Sequence, residues 1–183
     1  MAARSEPTDR PSAGADRRRR PRTAALLLAA AAAVLLAPVW PALRLTDDGT
    51  PLGTVPLTEG GTFTIAYVHS IDGLPIEEDL VVRDGRIVAE ATRFVQYGAG
   101  MGRVTGAGEA HADGEWWVVE DMGRDVGAEL VLRPGSAAVD HRLRASDTEI
   151  RLSPCLTSHR VVIAPARVST LRLLLGRVPR PEC

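Results

Sequence analysis

Asp84-Gly85 is the feature that most narrows what this chain can fold into. The dipeptide separates two β-type runs, 76–83 and 86–94. It suits a type I′ turn, whose two central residues both need positive φ. A chain committed to such a hairpin builds antiparallel sheet. With the turn formed, Arg83 faces Arg86, Val82 faces Ile87, Leu80 faces Ala89, Glu78 faces Ala91 and Ile76 faces Arg93. One face then carries an apolar set interrupted by Glu78 and Arg93, diagonal neighbours close enough to pair.

The segment 62–69 has the same period. Phe63, Ile65, Tyr67 and His69 share one face, expected to look into the core, so His69 sits at its end pointing inward or into a cleft. Further β segments are expected at 115–120, 129–132, 137–143, 148–152, 160–164 and 168–175, the last also fitting a helical stripe through Leu171, Leu174 and Leu175. Short strands punctuated by Gly, Pro and Asp predict an all-β domain, an antiparallel sandwich or barrel. A glycine-rich loop runs from Tyr97 through Gly98, Gly100 and Gly102 towards Gly114, with neither phosphate-loop nor dinucleotide spacing.

Ahead of the β region, residues 1–22 are polar and are expected to be a disordered, basic, cytoplasmic segment. Residues 24–40 carry no charge, and with 41–43 they reach about 20 residues, enough for a bilayer-spanning helix. This divides the chain into 1–22, a transmembrane anchor or signal helix at 23–43, an extracytoplasmic β domain at 44–178 and a tail at 179–183. Arginines ahead of the apolar run place the N-terminus in the cytoplasm. A poor small-x-small cleavage pattern favours a retained single-pass anchor over secretion. Residues 1–22 hold a net charge of +4, which leaves −5 for everything after them. This mildly acidic body argues against a nucleic-acid partner, because no positive field is left to attract phosphates. Cys155 and Cys183 have no metal-ligand spacing, and pairing or remaining free are both open to them.

His69, Glu78 and Arg93 form the candidate polar cluster, read either as a pocket in which Arg93 and His69 grip a carboxylate or as a network fixing strand register. A hydrolase would take Ser70, His69 and Glu78, but adjacent strand residues point to opposite faces, so Ser70 and His69 meet poorly. No residue is assigned as catalytic, none as a metal ligand, and no cofactor is implied. Scattered His111, His141 and His159 read as surface or packing residues.

Tyr67-Val68-His69-Ser70, then Pro75, Ile76 and Glu78, then Phe94 and Tyr97-Gly98-Ala99-Gly100-Met101 together resemble the bacterial family called domain of unknown function 1850. The resemblance covers 63–101 and extends further only through β character; Met101-Gly102 stands where members often have Leu-Pro or Met-Pro. It marks His69, Ser70, Pro75, Glu78, Tyr97, Gly98 and Gly100 as the positions for ligand or partner binding, beside Arg93 from the cluster above. It implies a small exported or membrane-anchored protein that assists a tripartite ATP-independent periplasmic (TRAP) transporter, touching its membrane subunits or its solute receptor, and carries no established activity.

Overall fold

The computed structural model describes residues 20–57, 60–96 and 108–175. A helix, α1 (Arg20–Leu36), leads into strands β1 (Pro38–Asp47), β2 (Thr50–Pro56), β3 (Thr62–Val68), β4 (Pro75–Arg83) and β5 (Arg86–Phe94). Then follow β6 (Glu109–Asp113), β7 (Trp116–Glu120), β8 (Arg124–Gly127), β9 (Leu130–Leu132), β10 (Arg142–Ala145) and β11 (Thr148–Arg151). The short helix α2 (Ser153–Leu156), β12 (Val161–Ser169) and helix α3 (Thr170–Leu175) complete it.

The strands form two antiparallel sheets. One runs β2-β1-β12-β9; the other runs β11-β10-β3-β4-β5-β7-β6, with β8 pairing against β5. Leu43, Leu45, Val55 and Ile163 of the first sheet pack against Phe63, Ile65, Leu80, Ile87 and Leu143 of the second. The expectation of an all-β, antiparallel domain holds, and of the two forms expected, sandwich or barrel, the described strands make two sheets with one apolar layer between them.

The expected helix at 23–43 does not extend that far. Pro38 lacks the amide hydrogen a helix needs and pushes Ala37 out of the α region, so α1 stops at Leu36 and the chain becomes β1 at once. Leu43 and Leu45 alternate with exposed Arg44 and are fully buried. No helix among the described residues is long and apolar enough to cross a membrane, and the sandwich starts at Pro38 instead of 44. The strand expected at 137–143 starts at Arg142, because 136–140 is a turn in which the N–H groups of Val139 and Asp140 donate to the Ser136 carbonyl at 2.9 and 3.2 Å. At the other end, β12 runs on to Ser169 and gives way to α3.

The Asp84-Gly85 hairpin forms with φ of 50° and 73° at the two turn residues. Its register holds from Arg83↔Arg86 to Leu80↔Ala89 and then shifts, with Asp79 opposite Ala91 and Glu90 left over as a bulge. The Glu90 carbonyl accepts a hydrogen bond from Met122 N–H at 3.0 Å instead. Glu78 consequently faces Thr92, Glu77 faces Arg93 and Ile76 faces Phe94.

Gly108, where the description resumes after the glycine-rich loop, has φ +100°, and a Cβ there would lie 2.3 Å from the Glu120 carbonyl oxygen. This glycine lets β6 close against β7. Cys155 is disulfide-bonded, and the sequence offers one other cysteine, Cys183, which lies outside the described residues, as do 1–19 and the tail.

Leu143, fully buried between the sheets, anchors this core. Leu143→Ala is expected to cost about 2–5 kcal/mol in urea unfolding, through lost burial and the cavity left behind. Val131→Ala, on the exposed side of β9, is expected to change stability by less than about 0.5 kcal/mol. Equal costs would contradict the placement of the core.

Candidate functional site

Strand alternation sorts the charged residues of β4 onto two faces. Glu78 follows Ile76 and precedes Leu80 on the core face, opposite Ile65 of β3, while Glu77 and Asp79 lie on the outer face opposite Ala66 and Thr64. The bulge at Glu90 puts Arg93 on that outer face too. The expected Glu78–Arg93 pair therefore does not form; Arg93 pairs with Asp79. Thr64 Oγ1 donates to Asp79 at 2.8 Å.

The outer face continues as a ladder of ion pairs. Arg144 meets Glu77 at 2.6 Å and Glu149 at 2.8 Å; Arg142 meets Asp140 and Glu149; Arg151 meets Asp140 at 2.9 Å. The hydrogen bond from Arg142, seconded by Arg151, holds the Asp140 carboxyl below its ordinary range. A groove of about 430 Å³ opens on this face, with Asp79, Glu90, Arg93 and Arg144 on its walls. Both arginines there already have carboxylate partners. Such exposed pairs contribute little each, about 0–1 kcal/mol, but together they fix which residues line the groove.

On the core face Glu78 sits in a small polar centre inside apolar surroundings. Burial raises its pKa, against the opposing pull of the Arg124 charge and of a hydrogen bond from Tyr67. Burial first, then the Glu78 carboxylate, pushes the Tyr67 hydroxyl up to about 12. The Tyr67 ring stacks on His141, with centroids 5.0 Å apart and planes 10° from parallel. His141 Nδ1 accepts the Gly135 N–H at 3.1 Å, and the His141 backbone N–H donates to Oγ of fully buried Ser153 at 2.9 Å. Burial lowers the His141 pKa, in keeping with the neutral ring its accepting nitrogen requires. Tyr67 also bridges to a second apolar cluster of Ile76, Phe94, Val119 and Met122.

His69 belongs to neither arrangement. It heads the turn between β3 and β4, where its N–H donates to the Leu74 carbonyl at 2.8 Å and its carbonyl accepts the Gly73 N–H at 3.0 Å. Its Nδ1 lies 3.2 Å from Asp72 Oδ2. Gly73 takes φ +67° to close the turn. Ser70 and Ile71 project from the tip, Ile71 being 74% exposed. Pro75, also exposed, starts β4. Among the described residues no hydrogen bond joins Ser70 to His69, so the geometry of an activated serine is not assembled.

Of the residues singled out from sequence, His69, Ser70 and Pro75 thus share one turn, Glu78 lies inward along β4, and Arg93 lies on the opposite face. Tyr97, Gly98 and Gly100 fall outside the described residues. Sequence reasoning missed His141 and Arg124 as neighbours of the Tyr67–Glu78 centre, since neither sits in a motif; only the sheet order brings them there. A cluster of Asp47, Asp48 and His159 places three ligand-type atoms within 4.8 Å of one another. Asp47 and His159 already bond one another at 2.9 Å across the β1–β2 turn and the start of β12, which accounts for the cluster without an ion.

The motif residues Tyr67, His69, Pro75 and Glu78 all lie within the stretch recognised by a family model, Domain of unknown function (DUF1850), over residues 63–152. This stretch is a DUF1850 domain. The match runs from Phe63 in β3 to Leu152 just past β11, so it takes in most of the larger sheet as well as the turn and the Glu78 centre. No curated protein and no solved structure matches the chain.

The raised pKa of Glu78 sets a pH dependence. An acid whose folded pKa exceeds its unfolded value contributes most to stability below the unfolded pKa, near 4.3, and loses that contribution as pH rises through the folded value. Glu78→Gln removes this loss. Urea unfolding between pH 4 and 8 is expected to show the variant gaining on wild type as pH rises, by about 1.4 kcal/mol for each unit of elevation. A difference constant with pH, or one favouring wild type at neutral pH, would mean the Arg124 and Tyr67 interactions outweigh burial.

Proposed function

We propose that this DUF1850 protein is a membrane-attached, extracytoplasmic accessory domain for solute uptake through a TRAP-type transporter, and that it docks on a membrane subunit or solute receptor through the 69–74 turn. The observation carrying this reading is Ile71, a large apolar side chain held out into solvent by a turn that backbone hydrogen bonds and the His69–Asp72 contact close. A preorganised apolar tip loses little entropy on binding. An isolated exposed apolar residue is ordinary; one mounted on a hydrogen-bonded turn within the family motif is suited to anchor in a partner pocket.

Two further features support the setting. A disulfide at Cys155 suits an oxidising compartment outside the cytoplasm. The apolar α1, preceded in sequence by an arginine run, suits attachment with the N-terminus inside. The family resemblance supplies the transporter as partner.

Carboxylate binding in the outer groove is the second reading, favoured by Arg93 and Arg144 on its walls. It ranks lower because a ligand must displace Asp79 and Glu77 from these arginines, and His69 is not there to help.

Full-length protein tagged after Cys183 and isolated from native membranes in mild detergent is expected to bring down transporter subunits. Ile71→Asp, an exposed change expected to leave Tm within about 2 °C, should cut that recovery about tenfold. Recovery undiminished by the substitution would rule out the turn as the contact. Absence of every transporter component from the wild-type sample would refute the accessory role.

A further inference from the structure

Exposed large apolar side chains of the described residues gather at one end of the sandwich. Apart from Ile71, Trp117 and Val131, they belong to α1, to Val39 and Trp40 at the start of β1, and to Leu171, Leu174 and Leu175 of α3. Pairing of β1 with β12 sets Pro38 opposite Ser169. Only Ala37 separates α1 from β1, and α3 follows β12 without a break, so the two helices leave the sheet together and contact one another. The corner is tied: the Trp40 indole N–H donates to Thr170 Oγ1 at 2.9 Å, and Arg167 donates to the Val39 carbonyl at 3.1 Å.

The two chain segments that build this end carry charge of one sign. Neither 17–46 nor 160–181 contains an acidic residue, while Arg167 and Arg172 stand exposed next to the apolar surface. At about 1.5 Å per residue, the 17 residues of α1 rise about 25 Å, short of the roughly 30 Å hydrocarbon layer. With one residue between helix and sheet, an inserted α1 draws this end of the sandwich against the bilayer. The surface brought there is apolar, basic and bears a tryptophan, the composition favoured at the lipid–water interface.

We propose that Val39, Trp40 and α3 form a lipid-contacting foot that seats the β domain directly on an anionic membrane surface, with Arg167 and Arg172 at headgroup level. This rests on the membrane attachment proposed above and adds a second, C-terminal point of contact to it. Six-residue α3 cannot persist as a helix by local propensity in water, and its exposed leucines acquire an apolar environment when it lies at the interface.

The test uses full-length protein in the Trp116→Phe/Trp117→Phe background, which leaves Trp40 as the sole tryptophan, reconstituted into vesicles of phosphatidylethanolamine with phosphatidylglycerol. Lipids brominated near the headgroup end of the acyl chain are expected to quench Trp40 emission by more than half. Leu174→Glu/Leu175→Glu should restore most of the emission while the protein still floats with the vesicles and keeps its β-type circular dichroism. Arg172→Gln should weaken quenching in the anionic vesicles and leave it unchanged in phosphatidylcholine. Floating protein with unquenched Trp40, or quenching indifferent to the α3 substitutions, overturns the foot and leaves attachment by α1 intact. Protein that does not float with vesicles refutes the attachment itself. Protection of Trp40 from lipid by a co-purifying protein seated on α3 also overturns the proposal.

Discussion

The antiparallel pairing of β1 with β12 is the contact on which the rest depends. It joins residues more than a hundred positions apart, Leu43 opposite Pro165 and Leu45 opposite Ile163, so its loop-closure cost is met only when the whole core assembles. Together the two strands put Leu43, Leu45, Val161 and Ile163, all fully buried, over the inner face of the larger sheet. Without that cover, Ile65, Leu80 and Leu143 would face water, and Glu78 would sit on an open surface with no reason for a raised pKa. The same pairing gathers α1 and α3 at one end of the molecule. Core, polar centre and apolar end are thus three consequences of one register.

A second constraint acts within the larger sheet, where a single residue of register decides which charge is inside. Glu77, Glu78 and Asp79 are consecutive carboxylates, and strand alternation can bury only the middle one. Glu77 and Asp79 find arginines on the outer face, where water makes the exchange nearly neutral. Glu78 keeps Tyr67 and the more distant Arg124, and burial remains the largest influence on it. A buried, incompletely compensated carboxylate weakens the fold at neutral pH.

Much of this was legible in the chain. The β3 alternation and the Asp84-Gly85 turn are local chemistry, and the strands they predict form with Phe63, Ile65, Leu80 and Ile87 facing the core as read. The bulge was not legible, because Glu90 is neither glycine nor proline and becomes surplus only when β7 and β8 dock on β5. Missing it moved Arg93 to the wrong face and joined it to Glu78. Residues 38–43 misled for a different reason: an apolar run reads the same whether it faces lipid or a protein core, and only Pro38 signalled the change. His69 was expected at the end of a core-facing strand, yet it heads a turn and its partner is Asp72, three residues on, a contact made by the turn and not by the sheet.

Native-state amide hydrogen exchange reads the closure of the sandwich by β1 and β12 residue by residue. The amides of Leu43, Leu45 and Ile163 are expected to exchange only through global unfolding, with opening free energies equal to the stability from denaturation. Exchange at these positions as fast as in the exposed β6 strand would mean that β1 opens independently, and that the core is held by the larger sheet alone.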